Sequence, residues 1–384
     1  MKRIHQKSTG LIRCLSFFVC SVCFTVGPVQ AQLQPGARDS STLTLLFAGD
    51  MMGHGPQIQA ARIDSNGTYN YDTCFYLVKP YIQQADLAIT NLEVTLAGPP
   101  YSGYPHFSSP DAYPMALKKA GFRVLVTANN HAADRGINGI RRTLKVLDSL
   151  GIMHTGTFAD SARRDSLYPL LITVKGFRLV LLNYSYGTNG LPVPAPTIVN
   201  LIDTIQMLRD LQIAQLMQPD MIISFMHWGN EYERFPSVQQ KKIAHFLFRH
   251  GCDLVIGSHP HVIQPAEVDY PDPHDSAHVQ VVIYSLGNAI SNQRDRYKNG
   301  GIFFSLTLHK QDSITIIKDY DYLPIWVYLK RSPGSKSAYY MVPPYALDSG
   351  KIEMTEDAKM NMQEFLNDTR EHLKGLKEMP FPVQ

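Results

Sequence analysis

The stretch Gly257-Ser-His-Pro-His-Val262 sets two imidazoles on either side of a proline, directly after the apolar run Leu254–Ile256. Acids, amides and further imidazoles stand at the same kind of place elsewhere. Asp50 occurs in LLFAGDMM, Asn91 and Glu93 in LAITNLE, Asn129, Asn130, His131 and Asp134 in VLVTANNHAAD, and His227 in MIISFMHWGNEY. Carboxylate, amide and imidazole are the donors that suit divalent Mn, Fe and Zn, and no cysteine shares the pattern. Pro260 fixes its own backbone angle and stiffens the turn, so His259 and His261 can face one small volume at little ordering cost. Two ions about 3.5 to 4 Å apart would draw one histidine each from such a pair. Taken singly, each residue has an ordinary explanation. His227 reads as a hydrogen-bonded strand-end group, Asp50 as a turn residue, Asn129–Asn130 as a helix cap and Glu93 as a solvated loop acid. Their recurrence after successive apolar runs is what argues for a site.

The elements that must position these residues follow from hydropathy. Strand-like runs cover Leu43–Ala48, Leu87–Thr90, Val124–Thr127, Phe177–Leu182, Met221–Met226, Leu254–Ile256 and Val279–Tyr284. Helical spacing covers Tyr71–Gln84, Pro114–Ala120, Gly139–Leu150, Leu201–Met217 and Val238–His250. This alternation predicts an α/β fold with helices covering sheets, and in such folds the loops leaving the carboxyl ends of the strands gather in one crevice. Further on, Gly301–Leu308, Ser313–Ile317 and Leu323–Leu329 read as consecutive strands, the first two joined by a polar turn at Lys310–Asp312, and a helix closes the chain from about Thr355 to Gly375. The resulting division is a domain over residues 43–309, with residues 310–384 supplying strands and a helix packed on it.

The first residues combine basic Lys2, Arg3, Lys7 and Arg13, an uncharged run from Cys14 to Val26 and the small-residue sequence Val29-Gln-Ala31. That order predicts a signal peptide over 1–31, a linker over 32–42 and an exported protein of the periplasm or cell surface; the apolar run is shorter than a spanning helix requires. Cleavage would leave 353 residues with 32 basic against 33 acidic side chains, which gives no electrostatic argument for nucleic acid as a partner. Cys74 and Cys252 would be the remaining cysteines, too few for a disulfide scaffold. The sequence carries neither a phosphate-binding glycine–lysine loop, nor a dinucleotide fingerprint, nor a serine nucleophile elbow. Ser285–Asn288, in YSLGN, reads as a loop supporting the site.

In order, GDMM, NLE, FSSPDAYPMALKKAGFRVLVTANNHAADRG, HWGNEY, GCDLVIGSHPHVIQ and YSLGN closely resemble the CapA family of bacterial capsule and poly-gamma-glutamate synthesis proteins, relatives of the calcineurin-like metallophosphoesterases. The resemblance spans roughly Leu43 to Asn288. It implies a four-layer α/β/β/α sandwich with two divalent metal ions at the sheet ends. On that likeness Asp50 and His261 resemble ligands of a first ion, Glu93 a bridging carboxylate, and Asn130, His227 and His259 ligands of a second. His131 resembles the histidine that assists the leaving group, and Asp134 its orienting carboxylate. Two positions depart from the superfamily pattern: Glu93 stands where aspartate is usual, and Met52 where a histidine is usual, which implies a weaker first site unless His54 or another group compensates.

The reading that follows is an exported metal-dependent hydrolase, with a water nucleophile and no covalent intermediate, acting in envelope or capsule polymer metabolism. Its substrate would be a phosphoester or an anionic polymer, and a membrane polymer-synthesis complex its partner. The alternative is a non-catalytic polymer-binding, export or assembly component that keeps the fold. Tyr101, Tyr104 and Phe107, in PPYSGYPHF, read as loop packing beside the site.

Overall fold

A computed structural model describes residues 42–64, 66–269, 279–311, 314–331, 336–347 and 349–380. The expected signal peptide, and the expected linker up to residue 41, lie outside the described residues; Thr42 already opens the first strand.

The chain begins with β1 (Thr42–Met51), α1 (Gly55–Ala61), α2 (Asp72–Phe75), α3 (Lys79–Gln84), β2 (Leu87–Leu92), α4 (Ala112–Ala120), β3 (Phe122–Val126) and α5 (Gly136–Ser149). It continues through β4 (Met153–Thr155), β5 (Thr157–Phe158), α6 (Ser161–Leu167), β6 (Leu170–Val174), β7 (Phe177–Ser185), β8 (Ile198–Val199), α7 (Thr204–Leu216), β9 (Met221–His227), α8 (Val238–Arg249) and β10 (Leu254–Ser258). The last part holds β11 (Ile263–Asp269), β12 (Gln280–Leu286), β13 (Asn288–Ile290), β14 (Gly300–Gln311), β15 (Ile314–Lys330), β16 (Ala338–Val342), α9 (Glu356–His372) and β17 (Lys377–Glu378).

Two sheets dominate. The nine-stranded sheet runs β16-β15-β14-β1-β2-β3-β4, with β13 beside β1 and β17 beside β15; the six-stranded sheet runs β11-β12-β10-β9-β7-β6. β1 to β4 are mutually parallel, as are β7, β9, β10 and β12, while β14, β15 and β16 add antiparallel. Parallel strands buried on both faces call for apolar side chains in both directions. β1 supplies them: Leu43, Leu45 and Phe47 face a core shared with Ile223, Phe225 and Ile256 of the other sheet, whereas Leu46 and Ala48 face a cluster with Tyr113, Leu117 and Leu147 from α4 and α5. On the far side, Met207, Leu211 and Ala214 of α7 and Ile243, Leu247 and Phe248 of α8 pack on Val180, Ile222 and Val255. The layers are therefore helix, sheet, sheet and helix, and each fully buried large side chain in the central core stabilises by about 1.5 to 3 kcal/mol.

Two expectations change. The helix foreseen over Tyr71–Gln84 is two helices, because Pro80 in a continuous helix would clash with the carbonyl of Tyr76 and lacks the amide to bond it. Ser313–Ile317 and Leu323–Leu329 are not separate strands: from Ile314 they lie in the single strand β15, which pairs with β14 along its length and absorbs Lys318 in a bulge. Cys74 and Cys252 are both buried and unpaired, in clusters on opposite sides of the central core.

Candidate metal centre

The parallel strands of both sheets end at one place. β1 delivers Asp50 there, β2 delivers Asn91 and Glu93, the turn after β3 delivers Asn130 and His131, β9 ends on His227, and the turn after β10 carries His259 and His261. A bulge around Gly49 shifts the β1–β2 register so that Asp50 stands opposite Asn91. Gly49 is required for a different reason: a Cβ there would lie 2.0 Å from the Gly287 carbonyl oxygen, whose neighbour β13 pairs Asn288 with Asp50. His259 and His261 adopt left-handed backbone angles, φ +95° and +58°, which turn both rings inward around Pro260.

Asp50, Glu93, Asn130, His227, His259 and His261 are all at most 2% exposed. Asp50 accepts hydrogen bonds from Asn91 Nδ2 at 2.8 Å and the His259 amide at 3.2 Å, and its Oδ2 lies 3.2 Å from His261 Nδ1. Glu93 Oε1 lies 3.5 Å from His227 Nε2 and 3.7 Å from His261 Nε2, with no hydrogen-bond partner of its own. His227 Nε2 is 2.9 Å from Asn130 Oδ1, and its Nδ1 is 2.9 Å from Ser258 Oγ. His261 Nδ1 also lies 3.1 Å from Asn288 Oδ1. Thus YSLGN does support the site, through Gly287 and Asn288.

The electrostatics follow from burial. Burial raises Asp50, but His261, His227 and the Asn91 amide outweigh it and hold the carboxyl well below its ordinary range. Glu93 accepts only a long 3.4 Å bond from Asn91 Nδ2 at its Oε2: burial first, and the charge of Asp50 second, push it well above the usual carboxylate value. Burial, with the neighbouring imidazoles adding to it, drives His227 well down and His259 down to about 3. Neutral imidazoles beside carboxylates are the protonation states that divalent ions bind. Two buried donor atoms, Glu93 Oε1 and His259 Nδ1, lack any hydrogen-bond partner. Among the described residues, Glu93, His227 and His259 form one group whose donor atoms lie within 4.8 Å of one another, and Asp50, Glu93 and His261 form a second. The donor set therefore fits divalent metal ions, with Glu93 common to both groups.

His131 lies beside these groups, directly after Asn130, whose Oδ1 bonds His227. Its Nδ1 is 2.8 Å from Asp134 Oδ2, which also accepts the Phe107 amide at 2.7 Å. The Phe107 ring stands edge-on to His131 at 4.6 Å and is fully buried, whereas Tyr104 is 74% exposed. Phe107 thus packs the site and Tyr104 lies open at its rim.

Met52 is buried in the apolar cluster under α4, and His54, ahead of α1, bonds Gln57 instead of joining a donor group. His106 is exposed. Two contributors were not assigned roles from the sequence. Glu231, within HWGNEY, groups with His259 and His261, and the ring of Tyr186, past the end of the apolar part of β7, lies tilted 4.4 Å from that of His259.

Residues 44–293 match the family described as bacterial capsule synthesis protein PGA_cap, and the chain belongs to that family. It is 28% identical over 298 residues to the capsule biosynthesis protein CapA of Bacillus anthracis, covering 73% of this chain and 67% of the relative. To the PGA biosynthesis protein CapA of Bacillus subtilis it is 26% identical over 270 residues, covering 65% of this chain and 64% of the relative. This chain thus spans about two thirds of the length of these relatives. Among solved structures it is similar to the calcineurin-like phosphoesterase YfkN of Bacillus subtilis, with 12% identity, a TM-score of 0.43, and 86% of this chain and 98% of that one covered.

Proposed function

We propose that this protein is an exported, metal-dependent hydrolase of the phosphoesterase type that acts in the synthesis or processing of an anionic capsule or envelope polymer. The observation that carries the chemistry is the pair of buried donor groups sharing Glu93. The polymer context is supported by family membership and by the names of the two Bacillus relatives. Export is supported by the basic, apolar and small-residue order of residues 1–31.

In this reading Asp50, Glu93 and His261 would hold one divalent ion, and Glu93, Asn130, His227 and His259 would hold the other. Such ions supply a hydroxide at neutral pH and stabilise charge on the group attacked. The protein does the rest. Asp134 holds the His131 Nδ1 proton and fixes the ring, leaving Nε2 to deliver a proton to the departing oxygen. Phe107 shields that ring from water on one side. His261 first, with His227 and the Asn91 amide, keeps Asp50 ionised, and the His259 backbone amide donates to its other oxygen.

The test is hydrolysis of a chromogenic phosphodiester by manganese-loaded protein. His131→Ala should lower kcat by roughly 10²- to 10⁴-fold with ion content unchanged, and His227→Ala should abolish turnover together with ion binding. Ion-loaded but inert protein that binds polymer equally well after His259→Ala would instead identify a non-catalytic polymer-binding component.

A further inference from the structure

The two donor groups are unequal. The group around His227 has four candidate donors: Glu93, His227 and His259, and the Asn130 amide oxygen 2.9 Å from His227. The group around Asp50 has three: Asp50, Glu93 and His261. Met52, just past the end of β1, is packed among apolar residues and contributes nothing. With two divalent cations in place, the buried carboxylates would also leave the centre two negative charges short, in a part of the protein where bound ions are the largest local charges.

Glu231 stands where it can supply both the donor and a charge. Its carboxylate forms a group with His259 and His261 whose donor atoms lie within 4.8 Å of one another. An exposed loop glutamate is usually just solvated, but this one is held in place by its backbone. The Trp228 amide bonds the Ser258 carbonyl at 3.1 Å and the Tyr232 amide bonds the Pro260 carbonyl at 2.8 Å, so the segment carrying Glu231 is pinned on both sides to the segment carrying the two histidines. The turn is tight enough to need left-handed angles at Gly229, φ +87°, and at Tyr232, φ +68°. A Cβ at Gly229 would come within 2.6 Å of the Gln240 amide, which is itself buried and bonded to Gln264. The Trp228 side chain anchors the start of the turn, its indole Nε1 donating to the Tyr284 carbonyl at 2.9 Å.

We propose that Glu231 is the solvent-side ligand that completes the Asp50–Glu93–His261 ion site. The proposal rests on the metal-dependent reading above. A carboxylate reaching in from an exposed turn also makes this the more exchangeable of the two sites, since its fourth donor can swing out into water while the His227 site stays enclosed.

Manganese binding separates the possibilities. Isothermal titration of the metal-free wild-type chain with Mn²⁺ should show two sites, and its manganese-loaded form an electron paramagnetic resonance signal from a spin-coupled pair. Glu231→Gln should weaken one site by at least about tenfold, the scale on which even outer-shell partners affect metal affinity, and replace the coupled signal with that of an isolated ion. The neighbouring exposed Glu233→Gln should leave both sites unchanged. Two undiminished sites in Glu231→Gln, or equal losses in Glu231→Gln and Glu233→Gln, would overturn the proposal while leaving the metal centre intact. A wild-type chain that binds no manganese would overturn the centre itself.

Discussion

Two fully buried carboxylates in this protein have opposite surroundings. Asp210, on α7 outside the six-stranded sheet, accepts from Arg164 Nη2 at 2.7 Å, Tyr184 Oη at 2.9 Å and Gln206 Nε2 at 2.9 Å. Glu93, at the carboxyl ends of the parallel strands, has Asp50 beside it, His227 and His261 at 3.5 and 3.7 Å, and one oxygen with no hydrogen-bond partner. A buried charge is tolerated when the chain supplies its counter-ion and costs several kcal/mol when it does not. Asp210 has its cation in Arg164. Among the described residues Glu93 has no lysine or arginine partner, and that difference separates an acid paired within the fold from one left available to a cation from outside.

Variants at the two places should therefore behave differently. The largest effect is expected from Arg164→Met, which strands Asp210: chemical denaturation should show a loss of about 3 to 5 kcal/mol, with manganese stoichiometry unchanged. Glu93→Gln should do the reverse. It removes an uncompensated acid, so the chelator-treated protein at pH 8 should gain roughly 1 to 3 kcal/mol, the cost of a buried unsatisfied polar group, while losing its ions. A loss of stability in both variants would erase the distinction.

pH sharpens the contrast within the metal centre. Glu93 is raised in the folded state, so its contribution to the metal-free protein is intact below the ordinary carboxylate value of 4.5 and is lost as pH rises above it. His259 is lowered to about 3 from 6.5, so its contribution is intact above 6.5 and is lost as pH falls through the window down to about 3. Melting temperatures of chelator-treated protein should accordingly decline at both ends. Glu93→Gln should flatten the alkaline limb and His259→Ala the acid limb; unchanged limbs in either variant would contradict the assignment. The smallest effect is expected from Tyr184→Phe, which leaves Asp210 its arginine and Gln206 and should cost only about 1 kcal/mol by denaturant titration.

Much of the centre was legible before any coordinates because a parallel sheet writes its active edge into the sequence: an apolar run, then a polar residue. Asp50, Glu93, His227 and the His259–His261 pair all obey that rule, and β1, β2, β9 and β10 run only a short way past their apolar runs, to Met51, Leu92, His227 and Ser258. Glu231 escaped because it stands beyond His227 in the loop leaving β9; its position comes from backbone bonds to Ser258 and Pro260, which no periodicity encodes. Tyr186 escaped because β7 runs on through Asn183–Ser185 after its apolar part ends at Leu182. Short strands such as β4 and β6 offered too few alternations to register, and β15 looked like two strands because Asp319 and Asp321 interrupt its apolar pattern, although its pairing with β14 continues through them.

Counting ions in the wild-type protein and in Glu93→Gln tests the reading most directly. Elemental analysis after saturation with manganese and removal of free metal should find two ions per wild-type chain and at most one per Glu93→Gln chain. A wild-type chain without bound metal, or a Glu93→Gln chain that still carries two ions, would contradict it.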